Sequence, residues 1–126
     1  MNFIETCRKL ISLDSSPTGS TVELVDFLAS RARDSGLIVD VLHEMQNGVT
    51  QANIIVRTEQ FNPGDREFLL QTHLDTVDPG NYSLWKKNDF NPFDAVIEDS
   101  KIYGLGVVEV KFDFLCKFNI LIRLKD

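Results

Sequence analysis

Histidine and carboxylate side chains are the groups best suited to hold a divalent metal or to move protons near neutral pH, and this chain of 126 residues has two histidines. One of them, His73, follows the apolar run Phe68-Leu69-Leu70 and opens the tripeptide His73-Leu74-Asp75. The end of a strand is where ligands commonly bind in open α/β sheets. In extended backbone, residues i and i+2 face the same side, so Asp75 can accept a hydrogen bond from one imidazole nitrogen and leave the other free for a metal. The bare tripeptide equally fits a histidine that is simply hydrogen-bonded at a strand end.

A second cluster is Gly104-Leu105-Gly106-Val107-Val108-Glu109-Val110-Lys111. Two glycines let the backbone turn tightly off a strand, and Glu109 then falls in the first turn of an expected helix, where a carboxylate could bridge metal ions or merely complement the helix dipole. Gly104-x-Gly106 also resembles the start of a dinucleotide fingerprint. The third glycine of that pattern is missing, however, and the residue in its place, Glu109, would repel a pyrophosphate. The other histidine, His43, lies in the alternating run Val39, Val41, His43, Met45 and reads as a strand-face residue.

The elements that must carry these groups are legible from periodicity. Phe3, Ile4, Cys7, Leu10 and Ile11 recur at helical spacing behind an Asn2/Glu5 capping box, predicting a helix over residues 3–13. Ser20 with Glu23 repeats the capping pattern and Gly36 supplies a C-cap, predicting a second helix over residues 21–35. Three strand-like runs follow, residues 37–45, 52–58 and 67–72, separated by Asn47-Gly48 and Asn62-Pro63-Gly64-Asp65. The third reads as a central strand covered on both faces. A long loop from Asp78 to Pro92 leads to a short hairpin over residues 95–103, and apolar spacing then predicts a helix over residues 107–123. The expected class is α/β, a mixed sheet with flanking helices, built as one piece over residues 1–126.

Composition narrows the function. A net charge of -6 with scattered basic residues disfavours a nucleic-acid partner. No apolar run is long enough to span a bilayer, and Glu5 interrupts what would have to be a signal peptide, so the chain reads as cytoplasmic, with no membrane partner. Cys7 and Cys116 form neither a CxxC motif nor a disulfide framework and read as small core residues.

Taken together, the run from Leu69 to Val77, then Trp85, Asn91-Pro92-Phe93 and Tyr103-Gly104-Leu105-Gly106 through Lys111 resemble in order and spacing the pattern of the M20 metallopeptidases and deacylases, over nearly the whole chain. The resemblance implies the N-terminal part of a zinc-exopeptidase-like catalytic domain. It further implies two zinc ions, His73 and Glu109 as metal ligands, Asp75 as the catalytic-centre carboxylate that orients His73, and hydrolysis of an amide bond in a small N-acyl amino acid or peptide.

Three departures qualify that expectation. The bridging acid, usually Asp, is Glu109, and Phe112-Asp113 replace common glycines. The family's general-base glutamate, its other metal ligands, its later strands and its inserted dimerisation domain belong to positions beyond residue 126. The chain is therefore expected to be an enzyme fragment, inactive alone and holding one zinc ion weakly or none. The alternative is a non-catalytic module that works by association. Either way, self-association or a partner chain is expected to cover the open sheet and apolar faces such as Phe114, Phe118 and Leu121.

Overall fold

The computed structural model describes residues 1–125. Helix α1 (Phe3–Ser12) begins with the expected capping box: Glu5 N donates to Asn2 Oδ1 (2.9 Å) and Asn2 N donates to Glu5 Oε2 (2.8 Å). Its buried face carries Cys7, Leu10 and Ile11. Helix α2 (Val22–Asp34) buries Leu24, Val25, Leu28, Ala29 and Ala32 and ends at Gly36, whose φ of +74° allows Leu37 N to donate back to Ala32 O (3.0 Å).

The start of α2 differs from expectation. No Ser20/Glu23 capping box forms; Thr21 is the N-cap residue and its side chain makes no cap bond. Its hydroxyl instead serves Ala52 twice, donating to Ala52 O (2.9 Å) and accepting from Ala52 N (2.8 Å). Ser20 Oγ, the expected cap oxygen, donates to Thr50 O (2.5 Å), so tertiary bonds from both residues dock the helix N-terminus on the neighbouring strand.

That strand belongs to a long antiparallel hairpin, β1 (Ile38–Gln46) with β2 (Val49–Arg57), joined at Asn47-Gly48 with φ of 50° and 81°. Two central residues at positive φ are what a tight hairpin turn requires. β2 starts three residues earlier than its apolar run because the turn sets the register, pairing Gln46 with Val49 and Ile38 with Arg57. Val39, Ile54 and Val56 pack toward the core, while His43, farther along the same face, is exposed.

The third expected strand, residues 67–72, is absent. The segment has no ladder partner, and Phe68 and Leu69 are 89% and 78% exposed. A strand exists only by pairing, and here β1 and β2 pair with each other and not with this segment. The expected mixed sheet is thus replaced by two separate two-stranded antiparallel sheets within an α/β chain.

The loop after residue 78 is organised by short 3₁₀ turns at Tyr82–Leu84 and Lys86–Asn88. Asn88 is buried and donates to Asp94 O (2.6 Å) and Tyr103 O (2.9 Å), tying the loop to the second sheet, β3 (Val96–Glu98) with β4 (Lys101–Tyr103). The expected continuous last helix is also corrected. Residues Val107–Lys111 form a wide turn closed by Lys111 N to Gly106 O (2.8 Å), with Glu109 at φ -127° and ψ 95°, and regular helix α3 runs only from Phe112 to Lys125. The Glu109–Val110 peptide is cis. Cys7, Leu10 and Leu13 from the first helix region, Leu24 and Leu28 from α2, and Leu115 and Phe118 from α3 share one buried cluster. No helix among the described residues is long and apolar enough to cross a membrane.

Candidate metal centre

The histidine segment is held from behind. Ser15 Oγ donates to Leu74 O (2.9 Å) and Thr76 N donates to Ser15 O (2.9 Å), a two-bond bridge that keeps residues 74–76 extended. Alternation turns Leu74 toward the core and leaves His73 and Asp75 on the outer side. His73 Nδ1 lies 3.2 Å from Asp75 Oδ1 and 3.0 Å from the Asp75 carbonyl oxygen. With both acceptors on that nitrogen, the favoured tautomer carries its proton on Nδ1 and presents the Nε2 lone pair outward.

Glu109 meets that free nitrogen. Its Oε1 lies 3.5 Å from His73 Nε2, although the two residues are far apart in sequence. The approach depends on Gly106, which combines a φ of +77° with contact so close that a Cβ there would lie 2.6 Å from Thr76 Cγ2. Gly104 is pressed similarly against Ile11, with 2.8 Å from an added Cβ to Ile11 Cγ2. Gly106 therefore seats the acidic segment directly on the one carrying His73 and Asp75, and Gly104 seats it on α1. Because the backbone at Glu109 is extended and not helical, its side chain leaves the chain toward the imidazole and does not lie along a helix terminus.

Two residues on, Lys111 is only 1% exposed and donates from Nζ to Leu13 O (2.6 Å). Burial pushes its pKa down to about 8, an effect partly opposed by the Asp14 carboxylate.

Two donors bound to one tetrahedral zinc ion, at usual Zn–N and Zn–O lengths, stand about 3.3 Å apart. The His73 and Glu109 donors are spaced for that arrangement, with Asp75 behind the imidazole. They are also open: the side chains of His73, Asp75 and Glu109 are 51%, 71% and 82% exposed. Among the described residues no group of three or more His, Cys, Asp or Glu side chains is placed to hold a metal ion by itself. The donor set accordingly fits part of a metal site. Sequence reasoning singled out His73, Asp75 and Glu109 but not Ser15, because nothing in its local composition signals a bond to residues 74–76.

Comparison with known proteins agrees with this chemistry at the level of the family. The chain is 32% identical over 116 residues to a succinyl-diaminopimelate desuccinylase of Ehrlichia canis, a match covering 91% of the chain and 28% of the relative. It is likewise 32% identical over 116 residues to an acetylornithine deacetylase of Erwinia tasmaniensis, covering 87% of the chain and 28% of that protein. A shorter match, 39% over 59 residues, reaches an uncharacterised metallohydrolase of Methanocaldococcus jannaschii and covers 47% of the chain and 13% of the relative. No family model matches the chain. The chain belongs to the M20 family. It spans just over a quarter, 28%, of the length of the two longer-matching relatives.

Proposed function

We propose that this chain furnishes part of the zinc centre of an amide hydrolase that removes an acyl group from an amino acid or small peptide, the class of reaction named for its desuccinylase and deacetylase relatives. The observation that carries the reading is the 3.5 Å approach of Glu109 Oε1 to His73 Nε2, on the ring edge opposite the Asp75 contact. Imidazole and carboxylate together suit zinc. When bound, zinc supplies a Lewis acid that polarises an acyl carbonyl and acidifies water.

Each residue has a distinct part. His73 offers a neutral nitrogen, Asp75 fixes its tautomer and raises its basicity, and Glu109 adds an anionic oxygen from the opposite segment. The remaining ligands and the proton-transferring carboxylate that amide hydrolysis requires come from outside this cluster, so the chain alone binds zinc and does not turn over. Calorimetric titration of the chain with zinc, beside His73→Ala and with amide hydrolysis assayed in the same samples, tests this. Binding abolished by His73→Ala, without turnover, is expected; zinc binding indifferent to that substitution would contradict it.

A second reading is favoured by one observation, the exposed Phe68 and Leu69 of residues 67–72, a strand-like segment that joins neither sheet. In it the chain is a non-catalytic module that associates through this segment. Absence of His73-dependent zinc binding together with concentration-dependent association would favour that reading.

A further inference from the structure

The turn that follows α1 touches both halves of the candidate metal centre while contributing no ligand. We infer that residues 13–16 form the positioning element of the centre, with Ser15 setting His73 and Asp75 and Lys111 setting Glu109; the inference rests on reading His73 and Glu109 as metal ligands.

Ser15 is buried, and its two bonds, Oγ to Leu74 O and carbonyl to Thr76 N, flank Asp75 on either side. With residues 74 and 76 both held, the backbone at Asp75 cannot turn away from the imidazole side without breaking one of these hydrogen bonds. From the opposite direction, Lys111 passes beneath Gly106, its Cδ lying 3.3 Å from where a Cβ on that glycine would be, to reach Leu13 O. Lys111 N closes the turn that carries Glu109. The same short stretch thus grips the histidine segment through Ser15 and the glutamate segment through Leu13.

The turn is itself stiff. Ser16 N donates to Asp14 Oδ1 (2.8 Å), Gly19 N donates to Ser16 O (2.8 Å), and a Cβ on Gly19 would lie 2.9 Å from Asp14 O. A buried ammonium is also an expensive way to fill space. An aliphatic side chain would pack beneath Gly106 without the desolvation penalty, but only the amine reaches the Leu13 carbonyl. That choice is intelligible if the tether, and not the packing, is what the position supplies.

The test uses the full chain with Ser15→Ala, Ser15→Thr and Lys111→Met. Zinc affinity is measured by calorimetry, and the ring-nitrogen chemical shifts of metal-free His73 are measured by NMR, with exposed His43 as internal reference. Loss of an outer contact to a metal ligand typically weakens binding about 10- to 100-fold, and that is the expected effect of Ser15→Ala and Lys111→Met at unchanged far-ultraviolet circular dichroism. Ser15→Thr, which keeps the hydroxyl, restores affinity. In metal-free Ser15→Ala the His73 shifts move toward those of His43. If Ser15→Ala unfolds the chain, Lys111→Met decides by zinc affinity alone.

Wild-type zinc affinity and unchanged His73 shifts in a folded Ser15→Ala variant would overturn the inference. Should the wild type show no His73-dependent zinc binding, the metal reading fails by itself. The metal-free His73 shifts still decide whether the turn positions the imidazole.

Discussion

His73 has two ring nitrogens with different surroundings, and the difference is the basis of its chemistry. Nδ1 faces the Asp75 carboxylate and carbonyl, Nε2 faces Glu109. Asp75→Asn keeps the shape and removes the charge, so zinc affinity should fall about 10- to 100-fold while the folded state is unchanged, as calorimetry and circular dichroism together would show. The cysteines offer a contrast in the same terms. Burial, assisted by the Cys116 thiol, raises the Cys7 pKa above its ordinary 9.0, whereas Cys116 is exposed. A thiol-reactive dye at pH 8 should therefore titrate one cysteine in the native chain and both in denaturant. The raised Cys7 value contributes stability fully present below pH 9 and lost as pH rises through the folded-state pKa, which urea unfolding at alkaline pH would register. The candidate site residues could be named from the sequence because ligand chemistry is local in residue type. The His73–Asp75 contact followed from their spacing, but the approach of His73 to Glu109 did not, since it depends on how Gly106 packs on Thr76.

At the scale of elements, local signals succeeded where local bonds decide. The Asn2/Glu5 box and the Asn47-Gly48 turn each close within a few residues, and α1 and the first hairpin formed accordingly. They failed where a distant partner competes. Thr21 gives its hydroxyl to both backbone groups of Ala52, and Thr21→Val should destabilise the chain by about 1 to 3 kcal/mol in urea unfolding because it strands buried polar groups. A loss no larger than that of an exposed Thr→Val control would show these bonds to be dispensable. The segment 107–111 was misread as helix for a related reason: its apolar residues have helical spacing, but Lys111 is drawn inward to Leu13 and the chain at Glu109 is extended to accommodate it.

For the whole molecule, the helices and hairpins share one apolar cluster, while residues 67–72 carry strand composition without a sheet to join. Composition showed that this run prefers a pleated, covered environment; it could not supply the neighbouring strands, which are a non-local property. The apolar α3 residues expected to lie open do not: Phe118 is buried and Phe114 and Leu121 pack against the core; exposed Phe68 and Leu69 should make the chain self-associate instead. Sedimentation velocity should show the weight-average mass rising with concentration above 14.3 kDa, and Phe68→Lys should suppress the rise. A clean monomer at high concentration would contradict this prediction.

The central claim is that the outward nitrogen of His73 is a zinc ligand. Zinc titration followed through the ¹⁵N shifts of the two histidine rings tests it most directly. The account predicts a large change at Nε2 of His73, with Nδ1 remaining protonated toward Asp75 and His43 unmoved. Zinc-induced change at His43, at Nδ1 of His73, or at neither ring would contradict it.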